Sequence, residues 1–105
     1  MPNDTGWKID FFDKGTRTEY ETYFKKYPTQ KTVKISFEKD VTTNPFFHPA
    51  HRRIVSLKGS LKGKYRYGKS ETRIIYEPDQ ASKTVYPLET DKITEVSYKK
   101  RSKKK

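Results

Sequence analysis

Cysteine is missing from the 105 residues of this sequence, which excludes disulfide bonds and any reaction that depends on a thiolate. Its absence fits a reducing compartment. No long apolar run is present, and no amphipathic stretch has the apolar weight of a membrane anchor, so we predict no association with a membrane. The N-terminal residues Met-Pro-Asn-Asp-Thr contain neither the basic start nor the apolar segment of a signal peptide, and we therefore predict a cytoplasmic protein.

Acidic residues are scarce relative to basic ones. The chain has 13 Asp and Glu against 24 Lys and Arg, which gives a formal net charge of +11. A basic domain of this size is a candidate for binding nucleic acid or another polyanion. Residues 99–105 are almost all Lys or Arg. We predict that they form a disordered basic tail, which adds nonspecific affinity for polyanions.

Hydrophobic residues are also few, at 30% against 35% charged residues, a balance that favours a strongly solvated chain. Aromatic residues, at 14%, have the opposite influence, because each large ring buries much apolar area. We therefore predict a single domain over residues 1–98, with a small core that is rich in aromatic side chains.

The first part of the chain predicts a strand followed by a helix. Residues 7–11 alternate apolar and polar, as a strand does. Thr16 and Glu19 have the spacing of a capping box, and the helix that they begin should end at Pro28. The apolar positions at helical spacing are Tyr20, Tyr23, Phe24 and Tyr27.

A second helix is predicted from Thr29 to about Thr42. The apolar residues at helical spacing are Val33, Phe37 and Val41. Val33, Ile35 and Phe37 also alternate as they would in a strand, so a strand is the alternative. The helical pattern extends further along the chain, and we therefore prefer a helix that ends at the following Asn-Pro pair.

The next segment, residues 46–55, has the composition of a loop. We expect Phe46 and Phe47 to fill the core beneath it. His48 and His51 are two imidazoles without a third ligand at useful spacing, which is a weak signal for a metal site. We therefore predict a surface loop, and neither a metal nor a cofactor.

A basic β-hairpin is predicted from residue 58 to residue 77. Its cations are Lys58, Lys62, Lys64, Arg66, Lys69 and Arg73. Residues 64–67 alternate cation and tyrosine, so Lys64 and Arg66 should share one face of a strand. A turn should follow, and then a returning strand over residues 72–77. A solvated basic face is one interpretation of this hairpin, and an anion-binding face is the other.

The C-terminal part of the domain predicts one more strand. Residues 78–82 are typical of a turn and residues 83–88 of a strand, in which Pro87 should mark an edge or an end because it has no N–H to donate. Residues 91–98 should form a short helical turn or an extended tail. The complete order predicts an α+β domain: an N-terminal strand, a helical hairpin and an antiparallel three-strand meander, with the helices packed on a mostly antiparallel four-stranded sheet.

This order of elements, together with three short motifs, resembles the RelE/ParE toxin superfamily of type II toxin–antitoxin systems. Leu-Lys-Gly at residues 57–59 is similar to the family's Leu-basic-Gly before its second strand. Arg-Ile-Ile-Tyr at residues 73–76 is similar to its Arg-Leu-Val-Tyr strand and is the most specific match. Glu-Val-Ser-Tyr at residues 95–98 stands where the RelE branch ends its core with an acidic residue and a tyrosine.

The resemblance implies an endoribonuclease. RelE-like members cut mRNA on the ribosome, by attack of a ribose 2′-OH on the adjacent phosphate and without a metal. The catalytic residues that the resemblance implies are Lys64, Arg66, Arg73, Lys92 and Tyr98. Arg73 matches the family's phosphate-clamping arginine, and Tyr98 matches a late tyrosine that stacks on the base or assists proton transfer. Lys92 stands at the position of a further cation, although a lysine lacks the planar fork of an arginine.

The resemblance also implies partners, namely a cognate antitoxin, the ribosome and mRNA, and a free toxin that is monomeric. The further residues predicted to contact RNA are Lys58, Lys62, Lys69, Lys99, Lys100 and Arg101. Two other functions stay open: ParE-like inhibition of DNA gyrase, which does not need the late Lys92 and Tyr98 pair, and a noncatalytic basic module that binds RNA or the ribosome. The register of the basic strand is predicted to within one residue.

Overall fold

The computed structural model describes residues 6–50 and 52–93. Within this part of the chain, two α-helices and five strands follow one another in the order β1 (Lys8–Ile9), α1 (Lys14–Lys26), α2 (Lys31–Thr43), β2 (Ile54–Ser56), β3 (Tyr65–Lys69), β4 (Thr72–Asp79) and β5 (Thr84–Lys92). The strands form one sheet in the order β1-β5-β4-β3-β2. β1 is parallel to β5, and the other neighbours are antiparallel. The helices pack on this sheet through a shared core, which confirms the predicted α+β architecture.

Helix α1 begins earlier than the capping-box pattern predicts. Asp13 is the N-cap, and its Oδ1 accepts a hydrogen bond of 2.8 Å from the backbone N–H of Thr16. Thr16 therefore lies inside the first turn, and its prediction as the cap is wrong. The Glu19 carboxylate accepts a bond of 3.0 Å from the backbone N–H of Thr90 in β5. An aspartate is favoured at the cap because it satisfies an open N–H and suits the positive end of the helix dipole.

The segment Lys31–Thr43 forms helix α2, which confirms the predicted helix and excludes the alternative strand. A short 3-10 turn, Pro28–Gln30, separates it from α1. Ile35 is 59% exposed, whereas Val33 and Phe37 are buried, as a helical period requires. A strand would have placed all three side chains on one face. Each of the two described helices has 13 residues, and neither is long and apolar enough to cross a membrane.

The core between the helices and the sheet is built from aromatic rings. Phe37 of α2 packs edge-on against Tyr67 of β3 and Tyr76 of β4, with ring centroids 5.3 and 5.6 Å apart. Both tyrosines are fully buried, and each hydroxyl has an acceptor. Tyr76 donates to the Pro45 carbonyl at 2.6 Å, and Tyr67 donates to the Asp40 carboxylate at 2.6 Å. The hydroxyls therefore enter the core without the cost of an unmade hydrogen bond.

One strand of the sheet was not predicted. β2 begins in the segment expected to be a loop, and it pairs antiparallel with β3 at the edge of the sheet, with Val55 opposite Arg66. A strand of three residues is too short to leave a recognisable alternation in the sequence, so its existence depends on the edge that β3 offers.

The two phenylalanines between α2 and β2 have opposite environments. Phe46 is half-buried and packs edge-on against Trp7 and Tyr65, with ring centroids 5.6 and 5.5 Å apart. Phe47 is 64% exposed, so the prediction that it fills the core is wrong. Phe46 occupies the space between Trp7 and Tyr65, and the side chain of Phe47 is left in solvent.

Strand β5 is longer than predicted and continues to Lys92. Residues 91 and 92 thus complete a strand rather than a helical turn. The backbone N–H of Ile93 then donates to the Glu71 carbonyl at 2.7 Å, which ties the end of β5 to the β3–β4 turn. The rest of the predicted segment, residues 94–98, lies outside the described residues, as does the predicted basic tail.

A β-bulge interrupts the pairing of β4 with β5. Ile75 is opposite Glu89 and Tyr76 is opposite Pro87, so Leu88 is an extra residue on β5. Pro87 lies inside β5 rather than at its end, but among the described residues β1 pairs with β5 only at Thr84 and Val85, so the β1 side of β5 is an edge at Pro87, as predicted. A proline is tolerated there because no neighbouring strand needs the N–H that it lacks. The extra residue also exchanges the faces of the side chains that follow it.

Candidate nucleic-acid interface

The strand register sorts the hairpin side chains onto two faces of the sheet. Tyr67 on β3 is opposite Ile74 on β4, and both are fully buried in the core beneath the helices. Arg66 precedes Tyr67 and Arg73 precedes Ile74, so both arginines point to the other side of the sheet. Lys64, two residues before Arg66, belongs to the same side. We call this side, opposite the helices, the outer face.

Arg73 lies close against the outer face. Its partner on β3 is Gly68, and the aliphatic and guanidinium atoms of Arg73 lie directly over this glycine. Nη1 of Arg73 donates to the carbonyl oxygens of Ser70 and Thr72, at 3.1 and 2.8 Å. The guanidinium is thereby held in one orientation beside the β3–β4 turn. A side chain whose orientation is already fixed can bind a phosphate without first having to rearrange.

Arg66 is the second arginine of the outer face and is half-buried. It belongs to a row that crosses the sheet from β2 to β5, formed by Val55, Arg66, Ile75 and Glu89. Ile75 and Glu89 are only 2% and 5% exposed. A buried carboxylate therefore shares the outer face with the arginines. Glu89 is not among the predicted site residues, because the bulge before it exchanges the face of the sheet to which its side chain points.

Two further carboxylates border the cations. Nζ of Lys64 lies 3.9 Å from Oε1 of Glu77, which is a loose ion pair. Asp91 is the strand partner of Arg73. The outer face therefore carries its cations on β3 and β4, and carboxylates on β4 and β5. A ligand anion at the arginines would meet positive charge from the β3 side and negative charge from the β5 side.

Two of the predicted cations lie on the helix side of the sheet. Nζ of Lys92 is 4.6 Å from the ring centroid of Tyr27, at the end of α1. Nζ of Lys69 donates to Oγ of Ser36 on α2 at 2.9 Å. Lys92 is thus separated from Arg66 and Arg73 by the sheet itself. The predicted site residues outside the described part of the chain are Tyr98, Lys99, Lys100 and Arg101.

Three predicted cations come together beside the sheet edge. A groove at the start of β3 is lined by Lys58, Lys62 and Lys64. The chain enters it through a 3-10 turn over Gly59–Leu61 and leaves it through Gly63, whose φ of 91° belongs to the left-handed region that favours glycine. The turn therefore folds the two earlier lysines back towards the strand that carries the third.

Acidic residues are absent from the sequence between Asp40 and Glu71. This interval contains β2, β3 and the segments beside them. Its cations are Arg52, Arg53, Lys58, Lys62, Lys64, Arg66 and Lys69. The β2–β3 half of the sheet is therefore uniformly basic, whereas the carboxylates described above lie on β4 and β5. Such one-sided charge is the electrostatic pattern of a surface that follows a phosphate backbone.

His48 has a structural role in the described part of the chain. Its Nδ1 accepts a bond of 2.9 Å from the backbone N–H of Ala50, so the neutral ring carries its proton on Nε2, which faces the Asp40 carboxylate at 3.2 Å. Asp40 also accepts from Tyr67. Burial, followed by this hydrogen bond to a carboxylate, raises the pKa of Tyr67. Among the described residues, no three His, Asp or Glu side chains are grouped to hold a metal ion.

The fold matches solved structures although the sequence does not match known families. No protein-family model matches this chain, and neither does any curated protein sequence. One chain of the toxin–antitoxin complex RelBE2 from Mycobacterium tuberculosis superposes with a TM-score of 0.64 and 19% sequence identity, over 88% of this chain and 97% of that chain. At this identity the similarity shows the fold alone. The chain therefore has the fold of that protein, which is the fold that the sequence resemblance predicted.

Proposed function

We propose that this protein is the toxin of a type II toxin–antitoxin system and that it cleaves mRNA on the ribosome. The observation that carries the proposal is the placement of Arg66 and Arg73 on one face of a RelE-like fold, with Lys64 two residues before Arg66 on the same face. Two guanidinium groups on adjacent strands form a site for a phosphate, because each offers a planar set of donors to its oxygens.

The reaction that we propose is an internal transfer of the phosphoryl group. The ribose 2′-oxygen attacks phosphorus, the bond from phosphorus to the 5′-oxygen breaks, and the products are a cyclic phosphate and a 5′-OH. One proton leaves the 2′-OH and one reaches the departing 5′-oxygen. The transition state gains negative charge on the phosphate oxygens, and a well-aimed donor stabilises such charge by about 3 kcal/mol. Arg66 and Arg73 supply this stabilisation.

The groups that move the two protons are assigned in part. The family resemblance assigns a role in proton transfer or base stacking to Tyr98, and we retain that assignment. Lys92 points to the helix side, so we propose that it contacts RNA or the ribosome at a distance from the scissile phosphate rather than acting on it. Lys64 directly precedes β3 and is two residues from Arg66 in the sequence.

A protein partner is part of the proposal. The structure that this fold resembles is that of a toxin–antitoxin complex. The uniformly basic β2–β3 half of the sheet offers charge complementarity to an acidic, disordered antitoxin segment that folds on binding. Co-expression with the product of an adjacent small gene should rescue growth, and failure of every neighbouring gene to do so would contradict this part.

A noncatalytic RNA-binding or ribosome-binding module is the second candidate. The observation that favours it is the position of Lys92, which stands away from the arginines. Ribosome binding that is tight and strongly salt-dependent, without any cleavage of message, would support this candidate over the toxin.

The experiment that tests the proposal is expression of the chain without a partner. We expect growth and translation to stop, and primer extension on ribosome-bound message should reveal new 5′ ends within codons. Purified protein with ribosomes and a defined message should reproduce the same ends. Inhibition of DNA supercoiling with translation spared would replace this proposal with the ParE-like alternative.

A further inference from the structure

The exposed ring of Phe47 has no role in the fold and none in the site described above. It is 64% exposed, more than any other large hydrophobic side chain among the described residues. Its ring forms part of an open groove at the β2 edge of the sheet, together with Pro49, Arg52, Ile54 and Val55. An aromatic ring that lines a groove together with other apolar side chains and a cation is a candidate binding surface.

The groove connects directly with the outer face. Val55, which lines the groove, is the strand partner of Arg66. Neighbouring strands lie about 4.8 Å apart, so the groove begins one strand away from the arginine that we assign to the phosphate. A polymer chain held at Arg66 and continuing across β2 would therefore reach the groove that Phe47 lines.

The charge around the groove selects the kind of polymer. Phe47 and Arg52 belong to the interval between Asp40 and Glu71, which contains no acidic residue. Phe12 is the other strongly exposed aromatic ring among the described residues, and it has the opposite surroundings. Asp13 follows it in the sequence, and it stacks at 4.1 Å on Tyr86, which is the strand partner of Glu77. The groove that Phe47 lines carries the cation Arg52, and the Asp40 carboxylate beside its His48 is already engaged by His48 and Tyr67, so this setting is complementary to a polyanion.

We propose that Phe47 is a stacking platform for a base of single-stranded RNA, in a nucleotide that flanks the phosphate bound at Arg66. This inference rests on the proposed function, since it assumes that RNA crosses the outer face. An aromatic face with basic residues around it binds single strands because every base has a π-face and every linkage has a phosphate. Arg52 and Arg66 contact the backbone on the two sides of the base.

A stacking residue has a distinct thermodynamic signature. Phe47→Ala should weaken the binding of single-stranded RNA by about 5- to 150-fold, which is the range for removal of a base-stacking ring. The dependence of affinity on salt concentration should not change, because phenylalanine releases no counterions. Arg66→Ala should instead reduce this salt dependence as well as the affinity. Phe47→Trp should retain wild-type affinity, and Phe47→Leu should not, because it keeps apolar bulk without a π-face.

The probe is a fluorescein-labelled RNA of about eight nucleotides, a length within known single-strand site sizes, with 2′-O-methyl riboses that cannot be cleaved. Fluorescence anisotropy with the full chain at several salt concentrations measures binding. Phe12→Ala is the matched control, since it removes another exposed ring outside the basic region. Thermal melts of the Phe47 variants should coincide with the wild type, because the Phe47 side chain is mostly in solvent.

Several results would overturn the proposal. These are an unchanged affinity for Phe47→Ala, an equal loss for Phe12→Ala, or absence of RNA binding by the wild type. If Phe47→Ala spared RNA binding but weakened binding of the antitoxin, the groove would be a protein-docking site. Cleavage of ribosome-bound message is measured separately. If the wild type cleaves and Phe47→Ala binds RNA and cleaves as well as the wild type, the stacking platform is rejected and the proposed function stands. If the wild type does not cleave, the proposed function is rejected.

Discussion

Gly68 and Arg73 face each other on adjacent strands, and the arginine occupies the space that any other residue at position 68 would fill. A Cβ atom at Gly68 would lie 2.9 Å from Nε of Arg73 and 3.0 Å from its Cδ and Cζ. Real Cβ contacts are essentially never closer than 3.0 Å. The backbone of Gly68 is not in the left-handed region, so the glycine serves the side chain opposite and not a turn.

This relationship predicts that Gly68→Ala moves Arg73 without unfolding the protein. The strand conformation accepts alanine, but the new methyl group must displace the guanidinium from its bonds to Ser70 and Thr72. Displacement of a catalytic group by about 1 Å costs about a hundredfold in rate. We therefore expect cleavage of ribosome-bound message to fall by about ten- to a hundredfold, while the far-ultraviolet circular dichroism spectrum stays the same.

Gly15→Ala is the control for this variant. Gly15 lies in α1, and the nearest atom to its Cβ would be Oδ1 of Asp13 at an ordinary 3.5 Å. The substitution should stabilise the helix by about 0.5–1 kcal/mol and leave cleavage unchanged. Equal activity of Gly68→Ala and wild type would show that Arg73 works equally well in another position.

Arg73→Ala should remove most of the cleavage activity. Loss of one well-aimed donor to the transition state costs about 3 kcal/mol, or about a hundredfold in rate. The bonds from Nη1 to two carbonyl oxygens are also lost, so we expect the free energy of unfolding to fall by about 1 kcal/mol as measured in urea. Arg73→Lys should recover only part of the rate, because an ammonium lacks the planar fork.

Lys92→Ala provides the comparison for this experiment. The lysine lies over Tyr27 on the helix side, so its removal should lower affinity for ribosomes more than the rate of the chemical step. Single-turnover cleavage at saturating ribosome concentration separates the two quantities. A loss of rate as large as that of Arg73→Ala would place Lys92 in the catalytic site after all.

Alkaline solution should unfold the protein through its buried tyrosines. Burial, and then the neighbouring Tyr65 and Tyr67, raise the pKa of Tyr76 well above its ordinary value of 10.0. Above pH 10 the unfolded chain loses this proton while the folded chain keeps it, so stability falls as the pH rises, by about 1.4 kcal/mol per pH unit for each such residue. Below pH 10 this contribution is fully retained.

Tyr76→Phe tests that assignment. At neutral pH the variant should be less stable by about 1–3 kcal/mol, because the Pro45 carbonyl loses its buried donor. Between pH 9 and 11, urea unfolding should show a shallower fall in stability than in the wild type. Parallel curves for the two proteins would mean that Tyr76 ionises at the same pH in the folded and unfolded states.

The N-cap of α1 gives a prediction about stability alone. Asp13→Ala should destabilise the protein by about 1 kcal/mol, because the N–H of Thr16 loses its acceptor. Thr16→Ala should cost less, since the Thr16 hydroxyl bonds only to the exposed Asp13 carbonyl at 3.1 Å. Thermal unfolding of both variants ranks the two residues, and the reverse order would make Thr16 the cap in solution.

Local periodicity in the sequence was sufficient for the helices and for the basic hairpin. The helical pattern of Val33 and Phe37 predicted α2 correctly because side-chain spacing alone decides which face of a helix is buried. The alternation through Arg66 and Tyr67 predicted the two faces of β3 for the same reason. Arg73 beside Ile74 then placed the second arginine on the same face as the first.

The environment of Phe47 could not be obtained in this way. Two adjacent phenylalanines in an apolar segment both favour burial on composition alone. Only the packed structure decides that Phe46 takes the space between Trp7 and Tyr65, and that Phe47 stays in solvent. Strand β2, which follows, also forms only because β3 offers an open edge for pairing, and no local sequence pattern predicts that edge.

The sequence by itself determined which residues form the helices, which form the hairpin, and that Arg66 and Arg73 share a face. The tertiary structure decided to which face of the sheet the side chains at the end of β5 point. Simple alternation from Tyr86 would place Lys92 on the outer face and Glu89 beneath the helices. The extra residue at Leu88 reverses both, because a bulge shifts the period-two pattern by one position. That bulge is a property of two paired strands, and a single strand's sequence does not contain it.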